Sequence, residues 1–580
     1  MTPYDYAVIA FYFVYILAVS WFFRRFVSNV SDYFRGGGKA LWWMVGGSAF
    51  MVQFSAWTFT GAASKAYSDG WPIVMIYIGN IIGFVCNALY FAPRYRQMRV
   101  VTFVEAVRAR FGRGNEHVFT WLQLPMGILQ AGIWLNSLGI FFSAVFGVDL
   151  TLTIIATGAV VLFMSLISGS WGVLAGDFVQ MLVLMPVCIV VTVLALMRVG
   201  GLGSFLSQLP PQHLALSQLS TSNFFGMWAI AMVLKQFVST NNLTDASRYL
   251  CVKDGRHARW AGFLGGALFI VGIFIWFIPP MVGRILHPDL HAQFPGLRNP
   301  AEGSFIAVAR DVLPVGMMGL FVSGMFASTI SAMDAGLNRN AGVFIKNFYQ
   351  PVLRPLATDR QLLKAGKFTT FVMGIVVIFV AWRFSQLQTI SLFGLTVRFS
   401  ALVITPFAIP LVWGVLVKNT PPWSGWSTVL VGFCSSLVAT YVLTPDAAAD
   451  YFHVAPLAAS SREYWEQAIA TFLNIIVGTA WFFGTRFFWT RSPADYKARV
   501  EKFFAGMHRR IDSAEEEGVA NDARQSKFIG WMCVVYGSFV GALALIPNPA
   551  IGRLAFLFCG GLVGGIGLLL LAASRKPAAT

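Results

Sequence analysis

Long apolar runs separated by short polar and basic stretches dominate the chain. A helix crossing the hydrocarbon core of a bilayer needs roughly 20 apolar residues. On that measure the pattern predicts an all-α integral membrane protein with about fifteen spans. They fall near residues 4–23, 41–67, 72–96, 117–147, 151–168, 173–198, 223–249, 258–285, 315–346, 368–386, 389–417, 424–444, 464–487, 528–546 and 551–573. Two longer polar segments interrupt the pattern. Asp446–Glu463 contains aromatic residues, and 488–526 predicts an amphipathic helix on the membrane surface.

Polar residues inside the runs carry the most information, because each is costly in hydrocarbon unless it faces protein or water. They form three clusters: FMVQFSAWTFTG from Phe50 to Gly61, KQFVSTNNLTDASRYL from Lys235 to Leu250, and SGMFASTISAMDAGLNRN from Ser323 to Asn340. The second cluster lies about five spans after the first. Interrupted spans at matching places in two halves point to an inverted-repeat transporter, whose unwound backbones expose carbonyls and amides at mid-membrane. In the third cluster Ser328, Thr329 and Ser331 precede Asp334. On a helix 331 and 334 share a face, as do 328, 331 and 335. Two readings of these hydroxyls stand at this point. They are oxygen ligands for a hard cation such as Na⁺, or they bond back to helix carbonyls and pack against a neighbour. Asp177, in SGSWGVLAGDFVQ, is an isolated carboxylate at the start of a span. At such depth a carboxylate calls for a cation or a proton.

Composition sharpens this picture. Of 580 residues 57% are hydrophobic and 12% charged, and the mean hydropathy is +0.67; soluble domains are about 25% charged. The first run, Tyr4–Phe23, has spanning length, no basic leader and no small-residue cleavage site, so it predicts a retained span. The net charge of +17 gathers between spans rather than on one face, which argues against nucleic acid. Basic residues follow the first span (Arg24, Arg25, Arg35, Lys39) and the third (Arg94, Arg96, Arg99, Arg108, Arg110, Arg113). They recur after the seventh (Arg248, Lys253, Arg256, Arg259) and the ninth (Lys346, Arg354, Arg360, Lys364, Lys367). The positive-inside rule makes these loops cytoplasmic. The N-terminus is then outside, and the C-terminus, with Arg575 and Lys576, is inside a multi-pass inner or plasma membrane. The six cysteines are scattered and form no CxxC or Cys/His set. HExxH and GxSxG are absent and the histidines lie mostly in loops, so the sequence predicts no enzyme.

Five stretches resemble the sodium:solute symporter family, in order from about residue 4 to 420. SDYFRGGGKALWWMVGGSAF is similar to its SDYFLGGR-type opening, and VTFVEAVRARFG to its cytoplasmic segment after the third span. SGSWGVLAGDFVQ and ASRYLCVKDGRHAR resemble its GG-x-x-A-V-x-x-T-D-x-x-Q and Q-R-x-L-A-A-K-D patterns. LPVGMMGLFVSGMFASTISAMDAGLNRNAGVF resembles its LLP-x-G-L-x-G-L…S-S-L-D-S-A-L-N-S pattern. The resemblance implies a leucine-transporter-like fold with a core of two inverted five-helix repeats at 41–417. One helix would precede it in 1–40 and four would follow in 418–580.

The resemblance also implies a sodium site between the first and eighth core helices. Its ligands would be the carbonyls of Met51, Phe54 and Ser328 and the hydroxyl of Ser331. Where the family often has a second serine, this chain has Ala332. A second sodium site in some members implies roles for Asp177 and for the positions occupied here by Asp334 and Ala335. Two such carboxylates bind a second Na⁺ or share a proton; the other reading pairs Asp334 with Arg339 or a loop cation.

The solute, by the same resemblance, lies between the first and sixth core helices. The residues concerned are Gln53, Ser55, Trp57 and Thr58 on the first, and Lys235, Ser239, Asn241 and Asn242 on the sixth. Gln123, Gln130 and Trp134 on the third and Arg398 on the tenth join them. Trp57 and Thr58 stand where galactose-type members carry an acidic-amide pair, and Gln53 stands where proline-type members carry aspartate. Lys235 and Arg398 either hold a carboxylate or snorkel to an interface. The implied function is sodium-coupled import of a small polar solute (sugar, sugar acid, carboxylate or amino acid) by alternating access. Proton-coupled symport and a non-transporting solute sensor are the alternatives. The implied partners are the solute, Na⁺ and the lipid bilayer.

Overall fold

A computed structural model of the chain describes residues 1–23, 40–53, 55–100, 102–167, 170–214, 224–387, 391–453, 459–511 and 519–575. The SDYFRGGGK stretch, Phe54 and Lys576, together with parts of the two polar segments at 454–458 and 512–518, lie outside the described residues. The described chain is almost wholly helical, and one isolated parallel bridge, Ala40 with Val252, is its strand-like feature.

The helices that matter run in order α1 (Pro3–Phe23), α2 (Trp42–Val52), α3 (Ala56–Phe59) and α4 (Gly61–Asp69). There follow α5 (Trp71–Gln97), α6 (Phe103–Phe111), α7 (Arg113–Phe146), α8 (Leu150–Ile167) and α9 (Ser170–Arg198). Next come α10 (Phe225–Thr240), α11 (Ala246–Tyr249), α12 (Gly255–Leu286), α13 (Ser304–Val312) and α14 (Met317–Leu353). The last group is α15 (Asp359–Ser385), α16 (Leu392–Trp413), α17 (Ser424–Tyr441), α18 (Ala459–Gly484), α19 (Ala494–His508), α20 (Val519–Ala542) and α21 (Ala550–Ser574). Ten described helices are long and apolar enough to cross a membrane, or eleven if the bent pair Ser424–Tyr441 and Pro445–Tyr451 counts as one span. Four shorter apolar helices, at Pro3–Val19, Trp42–Val52, Leu150–Leu166 and Phe225–Thr240, accompany them. The molecule is an integral multi-pass membrane protein.

Two discontinuities shape the centre. The first predicted run, 41–67, divides into α2, α3 and α4. Ser55 caps α3 by accepting from Trp57 N–H at 3.3 Å. Ala56 N–H donates to Thr329 Oγ1 of α14 at 3.1 Å. Breaking a helix in an apolar interior frees backbone groups that must find partners, and here a neighbouring hydroxyl supplies one. The second discontinuity follows α10, which ends at Thr240. Asn242 Oδ1 accepts from Thr244 N–H at 2.9 Å, and this Asx turn carries the chain into α11.

Small residues let the surrounding helices close on α2. A Cβ on Gly46 would stand 2.9 Å from the Ala261 carbonyl of α12. Phe50 then stacks on Trp276, ring centroids 5.7 Å apart. The hydrophobic window of α14 is buried throughout, packed by α9, α7 and α1. The amphipathic segment forms α19. Its apolar residues Tyr496, Val500, Phe503 and Met507 are buried against α6 and the end of α5. The apolar face anticipated for a membrane surface is therefore covered by protein.

Candidate functional site

A cavity of about 200 Å³ lies between the two broken helices, α7 and α16. Gln53, Ser55 and Trp57 line it from the first break, and Lys235, Gln236, Ser239 and Asn242 from α10 and its break. Gln123, Gln130 and Trp134 line it from α7, and Thr396, Ser400 and Phe407 from α16.

At one end Trp57 stacks on Phe393, centroids 5.9 Å apart and planes 15° apart. Glycine at 61 permits this, since a Cβ there would stand 2.7 Å from Trp57 Nε1. Behind the stack Lys65 pairs with Asp69 at 3.0 Å and with Glu463 of α18 at 2.8 Å. Tyr464 donates to Asp69 at 2.8 Å. At the other end Arg339 faces Asp245 at 3.9 Å and donates to the Thr244 carbonyl. Side-chain contacts between separate parts of the chain thus lie on either side of the cavity lining.

Three anticipated solute residues are placed elsewhere. Thr58 is buried and accepts from Tyr77 O–H at 3.3 Å. Asn241 is buried at the end of α10, where its Nδ2 donates to the Gly83 and Phe237 carbonyls. Arg398 hydrogen-bonds Glu466 of α18 and lines a separate cleft with Asp446 and Arg462. All three belong to predicted polar or ionic positions, but their helix faces turn away from the cavity. Sequence reasoning missed Gln236, Asp245, Arg339, Thr396 and Ser400 as cavity residues. For Asp245 and Arg339 a signal existed, since both are charges next to or within the polar clusters.

Beside the first break lie the anticipated sodium residues. Met51 is fully buried, and Phe54 is outside the described residues. Ser328 Oγ bonds back to the Met325 carbonyl at 2.9 Å, so its hydroxyl is engaged within the helix. Ser331 differs: its Oγ is buried beside the Asp177 carboxylate and forms no well-aligned hydrogen bond among the described residues. Such an oxygen next to a helix break fits a Na⁺ ligand.

The two carboxylates accept from different hydroxyls. Asp177 accepts from Ser48 O–H, and Arg248 donates to Ser48 while standing 3.4 Å from Asp177. Arg248, counted in the sequence as a loop cation, is therefore the charge that accompanies this buried acid. Asp334 accepts from Ser165 O–H of α8. Arg339, considered as a partner for Asp334, stands 3.9 Å from Asp245.

A central polar compartment between discontinuous helices in a multi-pass membrane chain is the arrangement of a secondary transporter. The model of the sodium:solute symporter family matches residues 33–422, and the chain belongs to that family. It is similar to sodium/myo-inositol cotransporter 2 of Mus musculus, 25% identical over 488 residues covering 76% of this chain and 70% of that one. It is also similar to sodium/glucose cotransporter 4 of Danio rerio, 25% identical over 497 residues covering 76% and 73%. Among solved structures it resembles a substrate-bound, outward-open Na⁺-coupled sialic acid symporter. That match has a TM-score of 0.64 and 20% identity, and covers 83% of this chain and 97% of that chain. A nucleobase-cation-symport-1 family transporter matches with a TM-score of 0.51 and 14% identity over 82% and 100%. These two likenesses concern the fold. The chain is a sodium-coupled solute symporter, with Na⁺ as the coupling ion, and not an enzyme.

Proposed function

We propose that this chain imports a small polar organic solute together with Na⁺ by alternating access across the cell membrane. The four shorter apolar helices complete fifteen spans in this reading. Residues 41–417 form the two inverted repeats, 1–40 supply one preceding span and 418–580 four following ones. The basic connections lie in the cytoplasm, with the N-terminus outside. The observation that carries the reading is the juxtaposition of three things: a broken helix, the buried Ser331 hydroxyl beside the Asp177 carboxylate, and the cavity the break lines.

Na⁺ in this reading is held by the carbonyls of Met51, Phe54 and Ser328 and the hydroxyl of Ser331. It ties α2 to α14, which already bonds the other side of the break through Thr329 and Ala56 of α3. A ligand can shift a conformational equilibrium only through its differential affinity for the two states. An ion bridging the break supplies such a difference, because it needs α2 and α14 at one separation. Gln53, Ser55, Trp57, Gln130, Ser239 and Asn242 contact the solute. The Trp57–Phe393 stack with the Lys65 network is the extracellular gate, and the Asp245–Arg339 contact the cytoplasmic one. Asp177 and Asp334 support the ion region without forming a common site.

The test is thermal stability of the purified chain in Na⁺ against choline. A ligand that binds the native state stabilises it in proportion to ln(1 + [L]/Kd). Na⁺ is expected to raise the Tm, and Ser331→Ala to reduce that increment while leaving the choline value close to wild type. An increment unchanged in Ser331→Ala places the ion elsewhere.

A further inference from the structure

Lys235 of α10 lines the cavity, is 6% exposed, and has no hydrogen-bond or ion-pair partner among the described residues. The sequence left open whether it snorkels to an interface; the structure turns it into the compartment instead. The two other charged residues lining the cavity, Asp245 and Arg339, face each other. The compartment therefore carries one uncompensated positive charge when Lys235 is protonated. Enclosing a lone ammonium is unfavourable unless something pairs with it.

We infer that the transported solute is an organic acid whose carboxylate pairs with Lys235 Nζ, and whose body is a hydroxylated chain or ring of monosaccharide size. This rests on the reading that the cavity is the solute site of the symporter. The body is specified by the rest of the lining. The side chains of Gln53, Gln130, Ser239 and Ser400 present donors and acceptors that have no partner among the described residues. Trp57 and Trp134 supply flat apolar faces, on which the C–H face of a sugar packs. A cavity of about 200 Å³ is smaller than the several hundred Å³ of pockets for drug-sized ligands. A neutral polyol would leave the ammonium unpaired, and a site built around a buried charge rejects the analogue that lacks the complementary group.

Full-length protein in detergent and in proteoliposomes decides this, with D-gluconate and D-glucuronate set against D-glucose and myo-inositol in Na⁺. The acids are expected to stabilise the protein and to be taken up, with apparent affinity at least tenfold above the neutral compounds. Lys235→Gln is expected to weaken acid binding at least tenfold while keeping the Na⁺-dependent rise in Tm, which shows that the variant is folded. Lys235→Arg is expected to restore part of the acid affinity. Na⁺-dependent uptake of glucose or myo-inositol with the acids excluded overturns the inference and leaves symport standing. So does the absence of any response to the acids in protein that responds to Na⁺. Loss of the Na⁺ response in the wild type strikes at the symport reading itself.

Discussion

Arg248, Ser48 and Asp177 form one chain of donors and acceptors between three helices. Asp177 is 2% exposed, so removing its cation leaves a buried, unpaired carboxylate. Breaking such a pair costs about 3–5 kcal/mol. Arg248→Ala is therefore expected to lower stability by about that amount, and the double variant with Asp177→Asn to recover part of the loss. Chemical denaturation in one detergent checks both, and an additive double variant removes the coupling. Asp177 was legible in the sequence because a carboxylate in an apolar run demands an explanation. Its partner was not, because Arg248 follows a span and counts as an ordinary basic loop residue until the break after α10 folds it back. Arg398 failed in the opposite direction. Its helix is apolar on most faces, so periodicity gives no sign that it turns to Glu466 rather than to the cavity.

The broken helices are the elements on which the site depends, and their positions were marked by polar residues crowded into apolar runs. Why α2 stops after Val52 was not legible, because the hydroxyl that receives Ala56 N–H is Thr329, far along the chain. The same holds for Glu302, in the connection before α13. Its carboxylate accepts from Leu392 N–H at 3.2 Å, pinning that connection to the start of α16. Burial pushes the Glu302 carboxyl up to about 7, although the Leu392 and Asn299 bonds favour the charged form. A raised carboxyl pKa means that the docked state prefers the neutral acid. This stabilisation is full below the ordinary glutamate value and is lost as pH rises through about 7. Amide exchange over 300–312, corrected for intrinsic rates, is expected to show more opening at pH 8 than at pH 5.5. Glu302→Gln is expected to flatten that difference; a pH response that survives the substitution assigns it to another group.

Across the whole molecule, the segment beyond the family match is built into the transporter. Glu463 of α18 holds Lys65 behind the Trp57 stack, and Gln467 Oε1 accepts from Trp228 Nε1 of α10 at 2.7 Å. One helix outside residues 33–422 therefore touches both discontinuous regions. The multi-pass helical class and the family were legible because hydropathy and local motifs carry them. The bracing by α18 was not, since it rests on pairings far apart in sequence that leave no local pattern. The central claim is that sodium flow drives solute movement through this assembly. Proteoliposomes holding the full chain, loaded with equal solute inside and out and given an inward Na⁺ gradient, test it directly, with D-gluconate as the first probe and a neutral sugar as the second. The account predicts accumulation above the external concentration that collapses when a sodium ionophore dissipates the gradient. Equilibration without accumulation, unchanged when choline replaces Na⁺, would contradict it.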